Sequence, residues 1–183
     1  MYAIVDIETS GGFAANNCIT EIAIVLHNGK EVEGKFHTLI NPETKIDWYV
    51  QKMTGITNAM VATAPKFNDV AKQIYNLINS KIFVAHNVSF DYNFVAQHLK
   101  NSGYTINLSK ICTVKMSRKI FPGLPKYGLA TLCHHFNIEN NARHRAIGDA
   151  EATTELFTLL LANDKQGEIA KLSTPKNAYN KVV

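Results

Sequence analysis

The chain has 183 residues, of which 46% are hydrophobic and 19% charged, the make-up of one globular domain with a full core rather than of a disordered chain. No stretch is long and apolar enough to cross a bilayer, and the opening Met-Tyr-Ala-Ile-Val-Asp lacks the basic region and apolar run of a secretion signal. Cys18, Cys112 and Cys133 form an odd, widely spaced set, which argues against a disulfide framework and for a reducing, cytoplasmic setting.

The formal net charge is +4, and its distribution is more informative than its size. Between Asp91 and Glu139 the chain has no acidic residue, yet it carries Lys100, Lys110, Lys115, Arg118, Lys119 and Lys126. A basic middle between acidic clusters suits a protein that meets phosphates with one part and metal ions with the other. A solvated face whose acidic partners lie elsewhere in the fold would leave the same pattern.

In chain order, Tyr2 to Ile7 reads as a short buried strand, Asn17 to Thr20 as a polar break, and Glu21 to Leu26 as a second strand. His27-Asn28-Gly29-Lys30 carries the Asn-Gly hairpin signal. Glu31 to Ile40 alternates polar and apolar, so an antiparallel meander is expected. Trp48 to Met53 reads as a short helix and Gly55-Ile56-Thr57 as a loop. A helix beginning near Pro65 places Val70, Ile74, Leu77 and Ile78 at helical spacing. Lys81 to Ala85 is a strand, and Ser89 to Lys100 a helix. Ile111 to Ile120 and Gly128 to Phe136 are further helices, and Asp149 to Leu161 the last. One domain is expected over residues 1–165, and residues 166–183 read as a polar tail or linker. Strands and helices alternating after a meander imply an α/β fold, with helices packed on a mixed sheet.

Asp6-Ile7-Glu8 is the most informative triplet. On a strand, residues two apart share a face about 6.6 Å apart, so Ile7 turns into the core while the two carboxylates face the other way. Carboxylates that close repel unless a cation lies between them, and hard divalent ions take oxygen ligands. A solvated acidic pair is the common alternative, so the pair needs partners. Asp91 follows an apolar strand and a polar turn, at the sheet edge where α/β proteins place ligands. His144 and Asp149 are five residues apart, a spacing that turns them about 140° from each other on a helix. They converge only if Asp149 begins the helix and His144 lies on the preceding loop. Cys133-His134-His135 has poor metal-ligand spacing and reads as a partly buried helix.

Three segments together are more specific than any one. Val5-Asp6-Ile7-Glu8-Thr9-Ser10-Gly11, Ala85-His86-Asn87-Val88-Ser89-Phe90-Asp91 and His144-Arg145-Ala146-Ile147-Gly148-Asp149-Ala150 resemble the three motifs of the DEDDh (DnaQ-like) 3′→5′ exonuclease family, which includes the proofreading subunit of bacterial replicative DNA polymerase. The resemblance runs over roughly residues 1–162 and takes in Met53-Thr54-Gly55-Ile56-Thr57 and the Cys112 to Arg118 segment. It implies a ribonuclease-H-like fold with a mixed five-stranded sheet. It implies two divalent cations, Mg²⁺ or Mn²⁺, about 4 Å apart, held by Asp6, Glu8, Asp91 and Asp149, with His144 as general base. It further implies nucleic-acid contacts from Ile7, Thr9, Thr54, Asn87 and Arg118, although proofreading relatives often carry His where this chain has Thr54. Lys115, Arg118 and Lys119 could meet phosphates upstream. The expected substrate is single-stranded nucleic acid, DNA over RNA, with a polymerase or another nuclease module as partner. RNA trimming, or a non-catalytic binding domain of a repair protein, is the alternative, and the 2′-OH contact that separates DNA from RNA is not legible in one sequence.

Overall fold

The computed structural model describes residues 1–12 and 17–173. The chain begins with β1 (Tyr2–Thr9), β2 (Ile19–His27) and β3 (Val32–Leu39), followed by α1 (Trp48–Thr54), α2 (Asn58–Val61) and α3 (Phe67–Ile78). Then come β4 (Ile82–Ala85), α4 (Val88–Asn101), β5 (Lys110–Cys112) and α5 (Thr113–Ile120). The last elements are α6 (Leu129–Phe136), α7 (Ala146–Asn163) and α8 (Glu168–Ser173). The sheet order is β3-β2-β1-β4-β5. β1, β2 and β3 pair antiparallel, while β1, β4 and β5 pair parallel, which is the mixed five-stranded sheet expected of a ribonuclease-H-like fold.

Strand alternation sorts the core into two layers. Ala3, Val5 and Ile7 pack with Phe67, Ile74, Phe94, Val95 and Leu99 on the α3–α4 face. Ile4 packs with Ala150, Leu156, Phe157 and Leu160 on the α7 face. Asp6 and Glu8 therefore point toward α7, opposite Ile7, as the strand period requires.

Four local expectations need correction. β2 begins at Ile19, inside the expected polar break, because Thr20 and Glu21 are buried. Ile111 and Cys112 belong to β5, not to a helix, and pair with Val84 and Ala85. At three residues the strand is too short to show alternation. α7 starts at Ala146, three residues before Asp149. Polar residues after Asn163 include α8, whose Ile169 is 1% exposed in the α7-side core. The rest of the expected tail or linker, residues 174–183, lies outside the described residues. Among the described residues, no helix is long and apolar enough to cross a membrane.

Candidate active site

The carboxylates meet where the sheet opens. β4 pairs with β1 only from Tyr2 to Ile4, so beyond Ile4 β4 no longer covers β1. The chain leaves β4 there through His86 and Asn87 into α4, the crevice beyond the carboxyl ends of parallel strands where α/β proteins bind ligands. Asp6, Glu8 and Asp149 each offer an oxygen within 4.8 Å of the others. Among the described residues, no other group of His, Cys, Asp and Glu converges in this way. Asp91, in the first turn of α4, is buried beside this group but outside it.

The charges are held against their preference. Burial, followed by repulsion from Asp91, Asp149, Glu8 and Glu21, pushes the Asp6 carboxyl well above the usual range. Burial first, then Asp149 and Glu21, raises Glu8 to about 7, and Arg145 pulls it back in part. Burial raises Asp91 to about 8 despite hydrogen bonds from its own backbone and that of Ile7. An all-oxygen cluster that resists ionisation without a counter-charge is a fit for hard divalent cations.

A stability prediction follows from these directions. A carboxyl with a raised folded-state pKa keeps its proton more tightly folded than unfolded, so the folded state loses stability as pH rises through that window. In EDTA the melting temperature should fall between pH of about 5 and 8.5, above the ordinary carboxylate pKa of about 4. A divalent cation should reverse the fall. A melting temperature that is flat or rising across this range in EDTA would contradict the assignment.

His144 lies outside α7, on the loop ahead of it, with φ of 61°, as its spacing from Asp149 demanded. Its N–H donates to Asp149 Oδ2 at 3.0 Å, and Asn140 Nδ2 donates to Asp149 Oδ1 at 2.6 Å. Both carboxylate oxygens are thereby oriented. Asp6, His86, Asn140, Arg143, His144 and Asp149 line a cleft of about 390 Å³. Gly148 matters for packing rather than for starting the helix. A Cβ there would lie 2.3 Å from the Ala142 carbonyl oxygen, so only glycine lets the His144 loop fold back on α7. Gly148→Ala should displace that loop, lowering activity at least about tenfold and costing about 1–3 kcal/mol, the range for overpacking. Activity and melting temperature measured on one preparation test both effects.

Glu21 is the residue that sequence reasoning missed. It stands opposite Glu8 across β1 and β2, where like charges repel, and it is fully buried. Arg145 Nη2 donates to it at 2.6 Å, the Ala146 N–H at 2.8 Å, and His37 Nε2 lies 2.7 Å away. This cluster ties the start of α7, and with it His144 and Asp149, to β2, the strand paired with the one that carries Asp6 and Glu8. Arg145 and Ala146 lie 124 and 125 residues away in sequence, so no local pattern could reveal them. Asn140, Arg143 and His86 were also missed.

The expected nucleic-acid contacts fare differently. The Ile7 side chain is 5% exposed and packs on the α3–α4 face, so only its backbone can reach the cleft. The Thr9 hydroxyl donates to the Gly11 carbonyl at 2.7 Å. The Thr54 hydroxyl donates to the Val50 carbonyl and accepts from the Ile56 N–H, so it is engaged within its own turn. Asn87, at the N-cap of α4 with φ of 73°, and Arg118 are exposed.

Comparison with known proteins agrees with this geometry. Residues 3–157 match the exonuclease family RNase_T. The chain is 34% identical over 161 residues to DNA polymerase III subunit epsilon of Aquifex aeolicus, covering 87% of this chain and 80% of that protein. It is 34% identical over 160 residues to the PolC-type DNA polymerase III of Caldanaerobacter subterraneus subsp. tengcongensis, covering 87% of this chain. It is 33% identical over 168 residues to the 3′-5′ exonuclease DinG of Bacillus subtilis, covering 90% of this chain. The chain spans only 11% of the PolC-type protein and 18% of DinG. Exonuclease X, solved in complex with 5′ overhanging duplex DNA, superposes with a TM-score of 0.76 at 27% identity, over 95% of this chain and 100% of that one. With its family match, its sheet topology and its converging carboxylates, the chain belongs to the RNase_T exonuclease family.

Proposed function

We propose that the chain hydrolyses single-stranded DNA from the 3′ end, releasing nucleoside 5′-monophosphates during replication proofreading or repair in the cytoplasm. The observation that carries this reading is the convergence of Asp6, Glu8 and Asp149 within 4.8 Å, in a cleft also lined by His144. The 3′ polarity is supported by the relative named 3′-5′ exonuclease DinG. DNA as substrate is supported by the complex of Exonuclease X. A polymerase partner is supported by the epsilon subunit, of which the chain covers 80%.

Asp6, Glu8 and Asp149, with Asp91 in support, would hold two divalent cations, Mg²⁺ or Mn²⁺. Bound there, the cations lower the pKa of water and offset charge on the reacting phosphate. The chain's own groups do the rest. Asp149 is fixed in orientation by Asn140 and the His144 N–H. The His144 imidazole accepts the proton of the attacking water, the role that a positioned histidine most often takes in proton transfer. Arg143, exposed on the cleft, and the exposed Lys115 and Arg118 meet backbone phosphates. Lys119 is paired with Glu168 and contributes less.

The test is digestion of 5′-labelled DNA and RNA strands of matched sequence with Mg²⁺ or Mn²⁺. The expected result is a ladder shortened one nucleotide at a time from the 3′ end, faster on DNA. A full-length label lost first as a mononucleotide would overturn the polarity, and faster RNA digestion would overturn the substrate.

A further inference from the structure

Four of the seven large apolar side chains exposed among the described residues fall between positions 48 and 60: Trp48, Tyr49, Met53 and Met60. Trp48 is 75% exposed, an uncommon state for the side chain that buries most apolar area. Clustered exposure of this kind marks an interaction site. On α1, the positions of Trp48, Tyr49, Lys52 and Met53 span an arc of about 140° by helical geometry. Val50 and Thr54 occupy the buried side. The Trp48 and Tyr49 rings meet edge to face, with centroids 6.5 Å apart, which leaves flat ring surface open to solvent.

The sheet register places this face. Glu8 is opposite Glu21, and Glu21 is opposite Leu39, so all three side chains lie on one face at one end of the sheet. Leu39 packs against the Ile46, Val50, Ile56 and Val61 cluster that seats α1. Leu39 therefore stands two strands across from Glu8, about 10 Å by strand spacing, and α1 packs against it on the same side of the sheet.

We propose that Trp48, Tyr49 and Lys52, with Met53 at the edge, form a base-stacking surface for the single strand just upstream of its 3′ end. This rests on the 3′-exonuclease reading above. The chemistry favours nucleic acid over a protein partner. Aromatic rings interleaved with cations, here Lys52 and the exposed Lys45 against Asp47, with the nearby Glu43 paired to Lys66, hold bases by stacking and phosphates by charge, without regard to sequence. Such a surface would hold the strand while one nucleotide after another is removed.

The sequence contains one tryptophan, so intrinsic tryptophan fluorescence reports on Trp48 alone. The probe is a single-stranded DNA oligonucleotide with a 3′-terminal phosphorothioate, which slows hydrolysis, titrated into the full chain. Its affinity is followed in parallel by anisotropy of a label on its 5′ end. Fluorescence should be quenched by the oligonucleotide and much less by an abasic strand of equal length. Trp48→Ala should weaken binding about tenfold, within the range for one stacked base, and Trp48→Phe should restore most of it. Tyr49→Ala should weaken binding in the same direction. Tight binding without quenching, or with unchanged affinity in Trp48→Ala, would overturn the stacking surface while leaving the exonuclease reading intact. Self-association lost in Trp48→Ala with oligonucleotide affinity unchanged would overturn it in favour of a protein interface. Quenching and weakened Trp48→Ala binding, with no hydrolysis of an unmodified strand, would support the surface and defeat the exonuclease reading.

Discussion

Asp6→Asn should abolish hydrolysis and yet stabilise the metal-free protein. The substitution keeps the shape of the side chain and removes one charge. Activity should fall by about 10³-fold or more, at the upper end of losses for a single electrostatic stabiliser, because Asp6 is central to the cluster with Glu8 and Asp149. Stability should move the other way. Burial and four neighbouring carboxylates disfavour the ionised form of Asp6, a charge the unfolded chain carries freely near pH 8, so the carboxyl there favours unfolding. Removing that charge should raise the melting temperature in EDTA by about 2–4 °C for each kcal/mol relieved. Added Mn²⁺ should stabilise the native sequence more than the variant. A variant that is inactive and also less stable in EDTA would point to a folding defect instead of a lost metal ligand.

Glu21→Ala should be the most destabilising single change at the site. It removes the acceptor shared by Arg145, His37 and the Ala146 N–H. Breaking a buried ion pair from one side costs about 3–5 kcal/mol, and the orphaned N–H at the start of α7 adds to that. The melting temperature should drop by about 6–20 °C at the slope expected for a chain of this size. Burial would raise the Glu21 carboxyl, but hydrogen bonds from Arg145, His37 and Ala146 outweigh it and hold it below the usual range. Its contribution is therefore present above the unfolded pKa and lost as pH falls through the depressed folded value. Glu21→Gln, which keeps the acceptor for Ala146, should lose less. Equal melting temperatures for the native chain and Glu21→Ala, compared near pH 7, would show that the cluster does not hold α7.

These two residues also mark the limits of what the sequence discloses. Asp6 and Glu8 are legible because the strand period is two, so Asp-x-Glu must share a face whatever the fold around it. His144 and Asp149 are legible because a helix cannot bring residues five apart together, which places one of them outside it. The meander and α4 are legible because long apolar patterns outweigh end effects. β5 and α8 are not, because three and six residues carry too little periodicity to register. Both are held by packing on distant segments. Glu21 sits in an apolar strand where its neighbour Glu8 and its partner Arg145 become visible only once the sheet is paired and α7 is docked. Thr54 shows the converse. It lies in a segment that resembles the family, but its hydroxyl is engaged by Val50 and Ile56, so motif position alone does not assign a contact.

The most direct test of the central claim is a Mn²⁺ titration of the metal-free chain at pH 7, followed by the loss of the free-ion electron paramagnetic resonance signal. Binding is expected to release protons, since burial raises Glu8 to about 7 and Asp91 to about 8 without metal, and to be greatly weakened by Asp6→Asn. Equal Mn²⁺ affinity in the native chain and Asp6→Asn would contradict that claim.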